Sequence, residues 1–135
     1  MTNETITIEC IDELLEFLPA FEEPNREYIE RWTGGTTAAG DLVWPHPVYV
    51  SDVMAFFQLA GQPCWCDYGY RPAEAAAMLA EDELIRAASL EQIKTMLTFC
   101  VRGERFTDGH WGMVLQEGRI VRLLRRLLVL RDQLT

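Results

Sequence analysis

The last third of the chain constrains the fold most. From Ser89 onward, apolar residues recur at helical spacing and are broken only at glycines. Ser89 followed by Gln92 fits a capping box, which opens a helix whose stripe is Leu90, Ile93, Leu97, Cys100 and Val101. Gly103 supplies its stop. Thr107 or Asp108 is placed to cap a shorter helix through Glu117, closed by Gly118. A last helix, Arg119–Leu134, carries Ile120, Leu123, Leu124, Leu127 and Leu130 on one face and Arg119, Arg122 and Arg126 on the other. Amphipathic helices on short links must bury their stripes against one another or against something upstream.

Upstream, the pattern stays helical where it is legible. Ile11, Leu14, Leu15 and Leu18 form one face of a first helix over Ile8–Leu18, with Glu9, Asp12, Glu13 and Glu16 on the rest. Thr5–Ile8 alternates like a short strand, but a lone strand has no evident partner. Ser51 is an N-cap for a helix through Leu59, stopped by Gly61. Pro72 suits a first helical position, and Ala73–Ala88 reads as one helix or as two joined near Glu81-Asp82. Residues 21–50 are hardest to read. Tyr28, Ile29 and Trp32 suit a helical turn over Glu27–Trp32, and the run Gly34-Gly35-Thr36-Thr37-Ala38-Ala39-Gly40 reads as a flexible loop. No Gly-Lys-Ser/Thr follows that run, so it is not a phosphate loop. Pro45-His46-Pro47 enforces an extended path. The expectation is an all-α fold: one compact helical bundle over residues 1–135, with five to seven helices and a long irregular segment around residues 32–50.

A chain of 135 residues can bury a sizeable core without staples. Met1–Glu4 is polar and acidic and lacks the basic, then apolar, pattern of a leader. No apolar run approaches membrane-spanning length, and Cys10, Cys64, Cys66 and Cys100 do not make a disulfide framework. The expectation is a cytoplasmic protein with reduced thiols. The net charge of −9 is uneven: residues 1–30 hold nine acids and one base, whereas residues 89–135 hold five acids and eight bases. Overall acidity counts against nucleic-acid binding, even though Arg119, Arg122, Arg125 and Arg126 crowd the last helix. A bland account is that the acidic N-terminal segment lies against that basic helix.

Two stretches concentrate polar and aromatic chemistry. Arg102, Glu104, Arg105, His110 and Trp111 flank a helix–turn–helix corner, where a helix N-terminus could help hold an anion. The same residues could instead be structural, with ion pairs among Arg102, Glu104 and Arg105 and with Phe106 and Trp111 plugging the core. His110 could serve as a general base oriented by Glu104 or Asp108. Trp65, Asp67, Tyr68 and Arg71, with Tyr70, form a second candidate patch suited to a small pocket or a protein contact. Cys64 and Cys66 with His46 and His110 have zinc-ligand chemistry, but the Cys-X-Cys spacing is wrong for common structural sites, so no metal or other cofactor is expected.

The stretches LLEFLPAF, PHPVYVSDVMAFF, DYGYR and FCVRGERFTDGHWGMVLQEGRIVRLLRRL together resemble a family of small bacterial proteins of unknown function. On that resemblance Arg102, Glu104, Arg105, Phe106 and Gly109 match motif positions. The resemblance implies a compact helical domain and no particular mechanism. The leading expectation is therefore a non-enzymatic helical domain that binds a protein partner or a small anionic ligand at the Arg102–Trp111 corner. The alternative is a small enzyme with His110 as base. Self-association into a homo-oligomer stays open.

Overall fold

The computed structural model describes residues 5–134; Met1–Glu4, which carry the leader argument, lie outside them. The elements run α1 (Ile8–Leu15), α2 (Leu18–Phe21), β1 (Ile29–Thr36), β2 (Leu42–Tyr49), α3 (Ser51–Ala60), a 3-10 turn (Pro63–Trp65), α4 (Pro72–Leu79), α5 (Asp82–Arg86), α6 (Leu90–Gly103), α7 (His110–Gln116) and α8 (Arg119–Gln133).

The helical expectations from Ser89 onward match closely. Ser89 and Gln92 close a reciprocal capping box, and α6 buries Ile93, Met96, Leu97 and Cys100 completely. α8 lays Ile120, Leu123, Leu124 and Leu127 into the same core. Residues 73–88 resolve into two helices, because the chain breaks at Glu81, whose backbone is extended. The acidic N-terminal segment does lie against α8: Arg131 pairs with Asp12 at 2.9 Å and Arg125 with Glu22 at 2.7 Å.

The all-α expectation is overturned by a β-hairpin in the segment expected to be irregular. β1 and β2 pair antiparallel, with Ile29 opposite Tyr49, Trp32 opposite Pro47 and Thr33 opposite His46. The signals that masked it have physical explanations. Pro45 and Pro47 are tolerated because in a two-stranded ribbon each strand is an edge, so a missing N–H need not break a second ladder. Register shifts between Ile29 and Arg31 and between Thr33 and Gly35 disturb the strict alternation that would have betrayed a strand. Gly34, expected in a flexible loop, sits inside β1 at φ +126°. A Cβ there would lie 2.6 Å from Pro45 Cα. The tip is closed by Thr37, whose backbone N–H donates to the Asp41 carbonyl and whose hydroxyl accepts from the Asp41 N–H.

The hairpin base is tied into the helical body. Val50 N–H donates to the Tyr28 carbonyl at 3.1 Å, and Tyr28 and Tyr49 are both buried. A continuous train of rings then runs through the core: Tyr28, Phe21, Phe56, Phe57, Trp111 and Tyr49, with successive centroids 4.4 to 6.1 Å apart. Arg26 lies over Phe21 and Tyr28 and pairs with Asp52.

Gly34 and Gly35 separate two effects at one turn of the ribbon. Both have positive φ, but a Cβ on Gly35 meets nothing within 4 Å. Gly35→Ala is expected to cost about 1 kcal/mol of backbone strain. Gly34→Ala adds a backbone clash and is expected to lower the thermal midpoint several degrees further and to raise amide exchange across residues 29–49. Equal losses in the two variants would refute this account of the bulge.

Candidate functional site

The Arg102–Trp111 corner is organised by one carboxylate. α6 ends at Gly103, and the next residue, Glu104, turns its side chain toward the start of α7. Its Oε1 accepts from the Tyr49 hydroxyl at 2.7 Å and from Trp111 N–H at 2.9 Å, and its Oε2 accepts from Gly109 N–H at 2.9 Å. Glu104 thus satisfies N–H groups at the start of α7 and places negative charge at a helix N-terminus, where the backbone dipole favours it. Thr107 and Asp108, the expected caps, make no such bond; the N-cap is Gly109, in the left-handed region. The Tyr49 oxygen in turn accepts from Gly112 N–H at 3.3 Å. Burial and the Glu104 carboxylate together push the Tyr49 phenol well above its ordinary range, so it remains a donor at any ordinary pH.

The other corner residues are divided between the inside and the outside. Trp111 stacks on Phe57 with centroids 4.4 Å apart, and its indole N–H donates to the Val101 carbonyl. His110 is buried, at 7% exposure, edge-on to Phe99. Among the described residues its Nε2 has no hydrogen-bond partner, and it lines neither the cavity beside Arg102 and Arg105 nor the grooves along β1 and α8. Asp108 is exposed. Neither Arg102 nor Arg105 pairs with Glu104; Arg102 lies over the Tyr70 ring and reaches Cys66 Sγ at 3.5 Å. Arg102 and Arg105 border a cavity of about 110 Å³ with Cys66, Thr98 and Val101. That is room for roughly four waters or one small oxyanion. Phe106 does not plug the core but stands in solvent, 80% exposed.

The Trp65–Arg71 stretch is similarly divided. Trp65 is fully buried. Asp67 is used up by structure: Oδ2 accepts from the Thr95 hydroxyl at 2.7 Å, and Oδ1 from Gly69 N–H at 3.1 Å. Tyr68 and Arg71 are exposed, and among the described residues Arg71 pairs only with neighbouring Glu74. Asp67 and Arg71 therefore do not converge on a common pocket. Among the described residues no group of three or more His, Cys, Asp or Glu side chains could hold a metal. No helix among them is long and apolar enough to cross a membrane.

An open face adjoins the corner. A groove of about 460 Å³ runs between β1 and α7, lined by residues 27–32 in succession and by Gly112, Met113 and Gln116. Trp32 lies over Gly109 at its end: a Cβ added to Gly109 would sit 3.3 Å from the indole. Trp32 is 53% exposed, and Phe106, Trp44, Leu42 and Met113 are exposed as well. On sequence alone Trp32 suits a helical turn, and the structural alternative for the corner has Phe106 plugging the core; the structure puts Trp32 on β1 and Phe106 in solvent. A hairpin reading of residues 29–49 would have found this face.

The chain matches the family of unknown function DUF6508 over residues 6–133 and belongs to that family. No curated protein and no solved structure matches it.

Three outcomes test this reading of the corner. Tyr49→Phe removes a charge-assisted hydrogen bond and is expected to destabilise the fold by roughly 1.5–3 kcal/mol in denaturant melts. Gly103→Ala drives a methyl to within 2.2 Å of His110 Cδ2 and 2.3 Å of its Nε2; a loss of about 1–3 kcal/mol or more is expected. The third outcome concerns pH. Burial is the main cause holding the His110 imidazole below its ordinary 6.5; Glu104 and Glu117 oppose the shift and Arg119 adds to it. The unfolded chain then takes up a proton near pH 6.5 that the folded chain takes up only at lower pH. Stability contributed by neutral His110 is therefore complete above 6.5 and falls as pH drops toward the folded value. His110→Gln is expected to flatten that part of the stability–pH curve, read from urea midpoints between pH 7 and pH 5.

Proposed function

We propose that this protein is a non-catalytic binding module that docks an extended segment of a partner protein along the outer edge of β1. The observation that carries this reading is the groove itself. It is lined by consecutive strand residues on one wall and by α7 on the other, and among the described residues nothing pairs with β1 on the side away from β2. An uncovered strand edge beside an apolar trough is suited to strand addition, in which backbone bonds give affinity and alternate side chains give specificity.

The chemistry of the trough specifies the segment. Ile29, Trp32 and Met113 offer apolar and aromatic contact. Glu27 and Glu30 bring two carboxylates, with Arg31 near Glu30 at 3.5 Å. The complementary segment is extended, alternates apolar residues, and carries Lys or Arg flanks. The locked inner side of the corner supports this role, because it holds α7 and the hairpin base in a fixed relation and so preforms the groove. His110, buried and outside the cavities, offers no open position for a substrate, so the geometry favours binding over catalysis.

An immobilised panel of extended ten-residue peptides of varied charge tests the proposal. Basic, alternating apolar peptides are expected to bind, to slow amide exchange at residues 29–33, and to lose about tenfold or more in affinity with Trp32→Ala or Met113→Glu. Preferential capture of acidic peptides, binding that survives both substitutions, or unchanged exchange along β1 would overturn it.

A further inference from the structure

Where α8 meets α5 there is a second groove, which shares no lining residue with the first and whose chemistry is unlike it. Its volume is about 330 Å³, and it is lined by Asp82, Arg86, Arg122, Arg125, Arg126 and Val129. Four guanidinium groups face one carboxylate, in a chain whose net charge is −9. The sequence places Arg122, Arg125, Arg126 and Val129 within two turns of α8, and the chain adds Arg86 from the last turn of α5.

The arginines differ in how far they are already engaged. Arg122 pairs with Asp82 at 3.2 Å, and Arg125 pairs with Glu22 at 2.7 Å. Arg126 spends its Nε–H on the Ala88 carbonyl at 2.9 Å, which anchors the side chain and leaves its two terminal nitrogens to be directed elsewhere. Arg86 is exposed and has no ion-pair or hydrogen-bond partner among the described residues. The groove therefore holds one unengaged guanidinium, one anchored guanidinium with spare donors, and two that share exposed carboxylates. Guanidinium forks match the oxygen geometry of a phosphate and bind it at two points. Val129, 47% exposed, supplies an apolar wall beside them.

We propose that the groove between α5 and α8 binds a small phosphorylated molecule that also carries an apolar moiety, with Arg86 and Arg126 gripping the phosphate and Val129 supporting the apolar part. The size suits the lower end of the range for small-molecule sites, roughly 300–1,000 Å³. A long polyanion is disfavoured, because the positive charge is local and the chain as a whole is acidic, with a net charge of −9. Asp82 does not prevent binding: an incoming phosphate displaces it from Arg122, and the exposed carboxylate is returned to water at little cost. This site is separate from the β1 groove and does not depend on it.

Isothermal titration of the full chain with adenosine diphosphate, inorganic pyrophosphate, adenosine and a single-stranded oligonucleotide distinguishes the cases. The diphosphate is expected to bind more tightly than pyrophosphate, adenosine to bind undetectably, and affinity to fall with added salt. Arg86→Gln, which disturbs no contact in the folded chain, is expected to weaken the diphosphate about tenfold. Arg126→Lys, which keeps the charge but loses the fork, should weaken it severalfold, whereas Arg71→Gln, outside the groove's lining, should leave it unchanged. The proposal is overturned by any of three results: no diphosphate binding up to about 1 mM, pyrophosphate or the oligonucleotide binding more tightly than the diphosphate, or an affinity indifferent to Arg86→Gln.

Discussion

The Glu104 carboxylate joins three parts of the molecule that are far apart in sequence. It stands at the C-terminal end of α6, satisfies the first amides of α7, and holds the hydroxyl of a tyrosine 55 residues upstream. A carboxylate so placed is already neutralised by N–H and O–H donors and by a helix dipole, so it needs no cation. That explains why neither arginine flanking it forms an ion pair with it. The consequence is positional. With Tyr49 fixed against Trp111, and Trp111 against Phe57, the base of the hairpin cannot slide over the helical body without breaking both the hydrogen bonds and the ring stack.

The groove beside β1 follows from this lock. A two-stranded ribbon alone is marginal in water and would not present a stable edge. Here its lower half is anchored by Tyr28, Tyr49 and the Val50–Tyr28 backbone bond, while its upper half, with Leu42 and Trp44, extends into solvent. The exposed aromatics are thus carried on a support that is rigid at its base. Charged residues crowd the same corner and the Trp65–Arg71 stretch, but part of that charge serves the scaffold. Glu104 caps a helix, Asp67 closes a turn, and Arg102 lies on Tyr70. The basic face of α8 is likewise partly spent on the acidic N-terminal segment, which lowers its claim as a nucleic-acid surface and leaves the α5–α8 groove as its concentrated remainder.

Legibility followed the range of the interactions. The capping box at Ser89 and Gln92, the stripe of α6 and the stripe of α8 are written in neighbours a few residues apart, and each was readable. The caps of α7 were misassigned because the capping group comes from Glu104, behind the turn, where a search for a side chain at the N-cap does not look. Hydrophobicity makes Phe106 a candidate core plug in the structural alternative for the corner, but its place in the turn points it outward.

The sequence by itself determined the helices of the last 45 residues or so, the apolar faces that must meet, and the charge gradient that brings the N-terminal acids to α8, because these follow from local periodicity and net charge. Only the tertiary structure decided that residues 29–49 form a hairpin. Its glycines and prolines are breakers locally, and they become acceptable only when Gly34 lies against Pro45 and both strands are edges. The tertiary structure also decided which charged residues are scaffold and which are surface, since that depends on partners such as Tyr49 for Glu104 and Ala88 for Arg126, which no spacing rule connects.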